Sequence, residues 1–362
     1  MKVVNWDGHR WLAEPGRVHG GPSARGAAAH DFSTNSNAVG PCPAALQAVA
    51  DADATRYPDP AYSALRARLA QWHGVPPERI VVAGSASEFI HRITLHCALR
   101  GVRRVALPAH SYGDYQQAAH ACGMEALRPR EPGSAQAGLH WACEPSSPLG
   151  QSDLALASWG PATALRNAAV ADVMRVVDCA YAPLVLGAGG WAGAPAPAPA
   201  GVWQLWTPNK AMGLTGVRAA YAVAPEGCEA IVAHLHALAP SWPVGAHGVA
   251  LLHAWAGDEA QRWLRHSHAV LAEWKQRQLA LCADLGWAVH AGSLANYFTA
   301  HPGMPQLELA LEHLRDQGVQ LRECTSFGLP GQVRLGVLPP ASQDALRRAW
   351  QALPPVFFKE SA

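Results

Sequence analysis

Residues 203–223 read WQLWTPNKAMGLTGVRAAYAV, two apolar runs separated by a polar, glycine-rich turn. The first run, 203–206, is typical of a buried β-strand that ends where the turn begins. The second run, 219–223, is apolar again, so the turn does not resemble an ordinary surface loop. In parallel α/β sheets, ligands bind at the carboxyl ends of strands. We therefore expect the polar residues of this turn to face a binding site.

Similar apolar runs come earlier in the chain and alternate with helical patterns. A helix is expected from Pro43, and another over 61–73, where apolar residues repeat at helical spacing. The runs typical of buried strands are 80–83, 104–107, 139–143 and 175–177. This alternation predicts an α/β fold with a mostly parallel sheet and helices on both faces.

The pattern changes near residue 240, which indicates a second domain. A long helical region runs from about His247 to Leu285, and short strands are then expected near 287–290, 297–300 and 333–337. A chain of 362 residues is also too long for one ordinary domain. We therefore predict three parts. They are an N-terminal arm over 1–40 that packs with the small domain, a large domain over 41–240, and a small α+β domain over 241–362.

The composition narrows the choice of partners. The net charge is +1 and no long run of one sign occurs, so neither nucleic acid nor a membrane surface is an expected partner. The eight cysteines form no CxxC pair, which favours buried thiols in a reducing compartment over a metal site. The N-terminus lacks an apolar signal core, and no apolar run could span a bilayer. We expect a cytoplasmic protein that binds small molecules and no metal.

Lysine is rare in this chain, which makes Lys210 conspicuous. The 28 Lys and Arg residues include only four lysines, at positions 2, 210, 275 and 359. Arginine cannot form a Schiff base, so a lysine kept in a glycine-rich turn invites a chemical explanation. A Schiff-base lysine needs a desolvated setting that lowers its pKa. Thr207 and Arg218 flank it with the hydroxyl and guanidinium that a phosphate group needs.

Polar residues also follow two other predicted strands. Ser85 and Ala86 lie between the strand at 80–83 and a helix, where backbone N–H groups and the helix dipole favour a phosphate. Asp178 ends the strand at 175–177, and a carboxylate there can keep a pyridine nitrogen protonated. Taken alone, such an aspartate is more often a helix or turn cap.

The turn at 207–218 resembles the Schiff-base segment of class I and II aminotransferases, which are pyridoxal-phosphate (PLP) enzymes of fold type I. The resemblance covers most of the chain and implies PLP bound as a Schiff base to Lys210. The match of Asp-Cys-Ala-Tyr implies Asp178 on the pyridine nitrogen and Tyr181 on the phenolic oxygen. These three are the implied catalytic residues. The residues implied to hold the cofactor phosphate are Ser85, Ala86, Thr207 and Arg218.

Three further matches concern the surroundings of the cofactor. Arg-Tyr-Pro-Asp-Pro resembles the loop that sends a tyrosine, here Tyr57, to the partner subunit's cofactor phosphate, so a homodimer with a shared active site is implied. Ser-Tyr-Gly-Asp-Tyr resembles the segment whose first aromatic, here Tyr112, stacks on the cofactor ring. The family pattern Asn-Pro-x-Asn-Pro-x-Gly appears as Glu-Pro-Ser-Ser-Pro-Leu-Gly, so Ser147 replaces the asparagine that contacts the phenolic oxygen.

Two branches of the family share features with this chain. Segments 19–21, 31–37 and 321–329 resemble threonine-phosphate decarboxylases of cobalamin biosynthesis, whereas the general layout, including 295–298, resembles histidinol-phosphate aminotransferases. In both branches a C-terminal arginine holds the acidic group of the substrate, as a bidentate guanidinium can. The arginines that match are Arg334 and Arg322. Asn37 and His19, from the N-terminal segments that carry the resemblance, are further implied substrate-binding residues.

The function that these features favour is a PLP-dependent aminotransferase acting on a small polar or phosphorylated L-amino acid. The alternatives are a threonine-phosphate decarboxylase and a catalytically silent PLP-binding protein, for which Ser147 is the only support. In either enzyme the freed Lys210 would act as general base or acid at the substrate's α-carbon. The positions of the substrate-binding arginines decide which bond breaks, and the sequence leaves this open.

Overall fold

The computed structural model describes residues 3–6, 9–12, 19–159, 173–187, 190–195 and 199–358. The strands are β1 (Val3–Trp6), β2 (His9–Leu12), β3 (His30–Asp31), β4 (Ile80–Ala83), β5 (Arg104–Ala106), β6 (Glu125–Leu127), β7 (Leu139–Cys143), β8 (Met174–Asp178), β9 (Val202–Trp206), β10 (Ala220–Val223), β11 (Ala288–Val289), β12 (Tyr297–His301), β13 (Val319–Gln320), β14 (Arg322–Glu323) and β15 (Val333–Gly336). The α-helices are α1 (Pro43–Ala50), α2 (Ser63–His73), α3 (Ala86–Leu99), α4 (Gly113–Ala121), α5 (Leu154–Ser158), α6 (Glu229–Ala237), α7 (Ala246–Trp255), α8 (Asp258–Asp284), α9 (Leu307–Asp316) and α10 (Pro340–Gln351).

A seven-stranded sheet forms the centre of the large domain, in the order β4-β10-β9-β8-β7-β5-β6. The strands from β9 to β6 are parallel to their neighbours, whereas β10 runs antiparallel to both β4 and β9. Strands β4, β9 and β10 are buried along their whole length, as expected for a sheet covered on both faces. The predicted α/β class with a mostly parallel sheet is confirmed.

Apolar side chains pack on both faces of this sheet. On one face, helices α1, α2, α7 and α8 contribute residues such as Leu65 and Leu251 to a core that includes Val82. On the other face, helices α3, α4 and α6 contribute residues such as Phe89 to a core that includes Val81. Neighbouring residues of a strand point to opposite faces, which is why Val81 and Val82 belong to different cores.

The C-terminal part of the chain forms a second sheet and a third core. Its four strands are antiparallel, in the order β11-β12-β15-β14. The N-terminal strand β3 pairs in parallel with β13, and Phe32 is buried in the same core. The predicted arm over 1–40 also contains β1 and β2, which pair in antiparallel orientation. The pairing of β3 supports an arm that packs with the small domain, and the domain boundaries stay a prediction.

The helical region expected at 247–285 consists of two helices. Helix α7 ends at Trp255, and Gly257, in extended conformation, precedes the first turn of α8. The longer helix α8 contributes Leu264 and Leu271 to the core of the large domain and Leu281 to the core of the small domain. The two hydrophobic cores therefore share one continuous helix.

The described part of the chain contains no helix that combines the length and the apolar character needed to cross a membrane. The same residues include no group of three or more His, Cys, Asp or Glu side chains placed to bind a metal ion.

Candidate active site

Asp178 ends β8 and lies at the carboxyl edge of the central sheet. Its side chain is only 4% exposed. One carboxylate oxygen accepts a hydrogen bond from the Tyr115 hydroxyl (2.7 Å), and the other accepts one from the backbone N–H of Ala180 (2.9 Å). Burial raises the pKa of Asp178, and the Tyr115 hydrogen bond, the Ala180 hydrogen bond and the positive charge of Lys210 each offset part of that rise. A buried carboxylate of this kind can pair with a cationic ring nitrogen.

Lys210 lies in the turn after β9, next to Asp178 and Tyr181. Its Nζ atom is 5.0 Å from the centre of the Tyr181 ring. The backbone N–H of Asn37 donates to the Lys210 carbonyl (2.9 Å) and holds the turn against the N-terminal segment. Gly213, at φ +68°, packs so tightly that a Cβ atom would lie 2.6 Å from the Gly40 carbonyl oxygen. The fold therefore brings the three predicted catalytic residues together.

The four predicted phosphate-binding residues flank neighbouring strand ends. Ala220 of β10 pairs with Ala83 of β4, and Tyr221 pairs with Trp206 of β9. Since pairing strands align these ends, the residues just beyond them lie at one edge of the sheet. These residues are Ser85 and Ala86 after β4, Thr207 after β9 and Arg218 before β10.

The chemistry of this edge fits a phosphate group. Ser85 caps α3, where its hydroxyl accepts a hydrogen bond from the Glu88 N–H (3.1 Å), and Ala86 is the first residue of that helix. The hydroxyl oxygen of Thr207 is buried and has no hydrogen-bond partner within the described protein. A buried hydroxyl without a partner is unfavourable, and an oxyanion at the N-terminus of α3 would supply one. Arg218 is exposed to solvent at the same edge.

Tyr112 precedes α4 and lies beside the N-terminus of α3. Its hydroxyl is 3.3 Å from the Ser87 hydroxyl, and burial raises the pKa of Tyr112, so that the phenol stays protonated. The ring of His19 lies 5.9 Å from the Tyr112 ring, centre to centre. The exposed imidazole of the N-terminal arm is thus close to the predicted stacking residue.

Arg334 and Arg322 face each other across β15 and β14. Both are buried, at 7% and 4% exposure. Arg334 donates to the Ser147 hydroxyl (3.2 Å) and the Ser33 carbonyl (2.9 Å), and its Nε has no partner among the described residues. Phe327 lies beneath both guanidinium groups, 5.5 Å from that of Arg334 and 4.8 Å from that of Arg322. Burial and the neighbouring charge of Arg334 lower the pKa of Arg322.

Two side chains connect this arginine pair to the lysine turn. The Tyr297 ring lies 5.7 Å from the Arg334 guanidinium on one side and 4.7 Å from the Tyr181 ring on the other. The side-chain Nδ2 of Asn35 donates to the Tyr181 hydroxyl (3.3 Å), and the side-chain Oδ1 is buried without a partner in the described chain. Lys210 and the two arginines therefore belong to one site.

Two other predicted site residues make contacts within their own chain. Both amide hydrogens of Asn37 are taken by the protein, since the nitrogen donates to the Ala211 carbonyl (3.2 Å) and the Ser267 hydroxyl (2.8 Å). Asn37 therefore supports the lysine turn, and its predicted substrate contact is not supported. Tyr57 is 77% exposed and stacks on Trp242 of its own chain, with ring centres 4.4 Å apart.

Sequence reasoning missed three residues of the site: Tyr115, Asn35 and Tyr297. Each lies in a motif that the resemblance singles out, at 111–115, 31–37 and 295–298. Tyr115 lies in the first turn of α4, which begins directly after Tyr112, and the two rings are in contact, 5.8 Å apart centre to centre. Their closeness in the sequence could have indicated that both tyrosines face the same site.

Comparison with known proteins identifies the family. The family model "Aminotransferase class I and II" matches residues 29–353. A histidinol-phosphate aminotransferase of Jannaschia sp. is 27% identical over 337 residues, which cover 89% of this chain and 90% of that protein. Histidinol-phosphate aminotransferase 2 of Caulobacter vibrioides is 30% identical over 360 residues, which cover 89% of this chain and 85% of that protein.

Two solved structures share the fold. One is histidinol-phosphate aminotransferase from Sinorhizobium meliloti in complex with pyridoxal-5'-phosphate, with a TM-score of 0.70, 22% identity and coverage of 89% of this chain and 90% of that one. The other is L-threonine-O-3-phosphate decarboxylase from Porphyromonas gingivalis, with a TM-score of 0.68, 21% identity and coverage of 88% and 98%. This chain belongs to the class I and II aminotransferases, and it is a PLP-dependent enzyme of fold type I.

Proposed function

We propose that this aminotransferase holds PLP as a Schiff base on Lys210 and acts on a small polar or phosphorylated L-amino acid. One observation carries the proposal. Lys210, the buried carboxylate of Asp178 and the unpartnered hydroxyl of Thr207 lie at a single sheet edge, in one site with two buried arginines. The arrangement supplies a group for each functional part of the cofactor and a separate anchor for the substrate.

Each cofactor-binding residue has a distinct role in this proposal. Asp178 would pair with the ring nitrogen, Tyr181 would bind the phenolic oxygen, and Tyr112 would stack on the ring. Ser147, which already accepts a hydrogen bond from Arg334, would lie next to the phenolic oxygen. The proposed phosphate ligands are Ser85, Ala86, Thr207, Arg218 and Tyr57 of the partner subunit. When bound, PLP supplies an electron-withdrawing ring that stabilises negative charge at the substrate's α-carbon.

Lys210 would also move the proton during catalysis. With its amine free, Lys210 could accept a proton from the substrate's α-carbon on Nζ and later donate that proton to another atom of the substrate or cofactor. The Tyr181 ring, 5.0 Å from Nζ, limits where the lysine side chain can go. Arg334 holds the acidic group of the substrate and so orients the α-carbon toward Lys210.

The arginine pair favours an anionic substrate. The two buried guanidinium groups repel each other, and the charge of Arg334 lowers the pKa of Arg322, so a carboxylate or phosphate bound between them would offset the repulsion. A bidentate guanidinium also matches the geometry of either anion. The curated relatives are named for histidinol phosphate, and one structural neighbour is named for threonine phosphate, which supports a phosphorylated substrate. His19, close to Tyr112, could add a further donor to such a group.

A threonine-phosphate decarboxylase is the second candidate. The observation that favours it is the presence of two separate guanidinium groups, since one can hold a carboxylate while the other holds a phosphate. Transamination and decarboxylation need the same cofactor-binding residues and differ in which bond of the α-carbon is perpendicular to the cofactor ring. Measuring keto-acid formation and CO2 release with the same amino acids distinguishes the two reactions. A protein that reacts with none of them would be a silent PLP-binding protein.

The cofactor link is tested by borohydride reduction of the purified enzyme and peptide mapping. We expect the mass of reduced PLP on the peptide that contains Lys210. The Lys210→Arg variant should remain unlabelled, because arginine forms no Schiff base. Lys275 is the internal control. It is also buried, but its Nζ donates hydrogen bonds to two backbone carbonyls, so we expect no reaction with PLP. A label on Lys275 would overturn the assignment.

A further inference from the structure

Tyr115 is a buried tyrosine whose ring is held in place by aromatic neighbours. It lies in α4, and its ring stacks on Trp141 of β7 with ring centres 4.5 Å apart and an angle of 9° between the planes. On another side, Tyr112 meets it edge to face at 5.8 Å. This packing fixes the ring, so the hydroxyl is held at 2.7 Å from one carboxylate oxygen of Asp178.

The hydrogen bond acts on the charge of Asp178. A hydroxyl that donates to a carboxylate stabilises the ionised form relative to the neutral acid. Burial works in the opposite direction and raises the pKa of Asp178. Burial and the adjacent carboxylate also raise the pKa of Tyr115 far above its usual value, so the phenol keeps its proton and remains a donor.

We propose that Tyr115 is a positioning residue that keeps Asp178 ionised and thereby keeps the shared proton on the cofactor's ring nitrogen. The inference rests on the proposed function, in which Asp178 faces that nitrogen. A proton between the two groups can reside on the nitrogen, with an ionised carboxylate, or on the carboxylate, with a neutral ring. Only the first arrangement receives the full benefit of the Tyr115 hydrogen bond. A neutral ring withdraws electrons less strongly, so losing the hydroxyl should slow catalysis.

Tyr115→Phe separates this role from packing, because it keeps the ring on Trp141 and removes only the oxygen. Hydrogen bonds to charged groups are strong enough that we expect kcat to fall about 10- to 100-fold. The KM for the amino acid should change less than about twofold, because Tyr115 contacts neither arginine. Enzyme loaded with ¹⁵N-labelled PLP provides a direct readout. In the variant, the ¹⁵N NMR chemical shift of the ring nitrogen should move from the value of a protonated pyridine toward that of an unprotonated one.

Tyr62→Phe is the matched control. Tyr62 is also a buried tyrosine, and its hydroxyl donates to the Val244 carbonyl at 2.8 Å, whereas the Asp178 carboxylate is bonded to Tyr115 and Ala180. Its loss removes a comparable hydrogen bond and should leave the ¹⁵N signal unchanged. Should Tyr115→Phe fail to fold, 4-aminophenylalanine at position 115 keeps the ring and a weaker donor, and should give a smaller shift in the same direction.

Asp178→Asn distinguishes failure of this inference from failure of the proposed function. If Asp178→Asn moves the ¹⁵N signal and Tyr115→Phe does not, the inference is wrong and the role of Asp178 stands. If neither substitution moves the signal, Asp178 does not face the ring nitrogen, and both fail. A loss of kcat in Tyr115→Phe with an unchanged ¹⁵N signal would also overturn the inference, because a purely structural role could produce it.

Discussion

Three buried polar atoms in the site have no hydrogen-bond partner within the described protein: Thr207 Oγ1, Asn35 Oδ1 and Arg334 Nε. Such atoms are rare in folded proteins, and each costs about 1–3 kcal/mol when buried without a partner. Thr207 belongs to the predicted phosphate site, and Asn35 lies next to Tyr181. Arg334 belongs to the arginine pair proposed to hold the substrate, which we call the substrate anchor. We infer that these three atoms form hydrogen bonds to the cofactor or the substrate.

Substituting Thr207 tests this inference with two effects of opposite sign. Thr207→Val should weaken PLP binding about tenfold, because one hydrogen bond to the phosphate is lost. The same variant should leave the stability of the apoenzyme unchanged or raise it, because an unpartnered hydroxyl is removed. Equilibrium dialysis measures the first effect and urea unfolding the second.

Thr299→Val is the control for this experiment. The Thr299 hydroxyl is buried as well, but it donates to the Pro148 carbonyl at 2.9 Å. Its loss should destabilise the apoenzyme by about 1 kcal/mol. Unchanged PLP affinity in Thr207→Val would remove Thr207 from the cofactor site.

Arg334 should affect the substrate far more than the cofactor. Arg334→Ala removes the guanidinium that the proposal places on the substrate's acidic group, so KM should rise at least tenfold while PLP affinity stays within about twofold. Among substrates of the wild-type enzyme, phosphorylated or acidic amino acids should outcompete leucine and phenylalanine. A kinetic screen in which apolar amino acids give the highest kcat/KM would contradict the proposed specificity.

At the scale of secondary-structure elements, Lys275 of α8 forms hydrogen bonds to the loop at residues 293–295, which supports the active site. Its Nζ donates to the carbonyls of Ser293 (2.6 Å) and Ala295 (2.7 Å). Between these residues, the Leu294 N–H donates to the Gly150 carbonyl (2.7 Å), so the same loop supports the turn that contains Ser147. Lys275 therefore helps to position Ser147, whose hydroxyl accepts a hydrogen bond from Arg334.

The stability that Lys275 contributes should depend on pH. Burial lowers its pKa from 10.5 to about 8. Below pH 8 the lysine is charged in both states, so the cost of burying the charge is present in full. Between about pH 8 and 10.5 the unfolded chain binds more protons than the folded one, so stability rises with pH. The free energy of unfolding of wild type relative to Lys275→Met should increase by about 1–3 kcal/mol between pH 7 and pH 10.

Urea unfolding at several pH values measures this difference, and the other titrating groups cancel because both proteins contain them. Lys275→Arg serves as a control, since an arginine stays charged over the whole range. A difference between wild type and Lys275→Met that does not change with pH would show that the lysine has an ordinary pKa.

The strands that the sequence predicts well are those buried on both faces. Strands β4 and β7 have the predicted bounds, because both are largely apolar and buried and end at turn residues. Strand β6 was missed, since its sequence Glu-Ala-Leu is short and lies at the edge of the sheet. The antiparallel direction of β10 could not be predicted either, because a fully buried apolar run looks the same in both directions.

The site was predictable where residues act through local motifs, as around Lys210 and Asp178. Contacts between distant segments were not, because one sequence without geometry does not show them. The amide of Asn37 is occupied by Ala211 and Ser267, far along the chain, so its role could not be deduced from its own motif. The same applies to the Tyr115 hydroxyl, whose partner lies on another element.

At the scale of the whole molecule, the exposure of Tyr57 predicts a shared active site. A tyrosine that is 77% exposed and stacked on Trp242 is available to a second subunit. We expect Tyr57→Phe and Lys210→Ala each to be strongly impaired as homodimers. If Tyr57 acts in the partner's site, a hybrid dimer of the two variants contains one doubly defective site and one intact site. Mixing the two variants under conditions of subunit exchange should therefore restore activity.

The control is the mixture of Tyr57→Phe with wild type that has been inactivated by borohydride, which should restore activity for the same reason. If Tyr57 served its own subunit, every site in the hybrid would carry one defect and no activity would return. That outcome would remove Tyr57 from the shared site.

The pairing of β3 with β13 has a consequence for how the protein is made. His30 and Asp31 leave the ribosome long before their partners Val319 and Gln320. At a synthesis rate of about 5–20 residues per second, the first strand waits for on the order of tens of seconds. All seven strands of the central sheet emerge before β13 does. Because Arg334 also bonds to the Ser33 carbonyl, this part of the substrate site forms only after synthesis has passed Arg334.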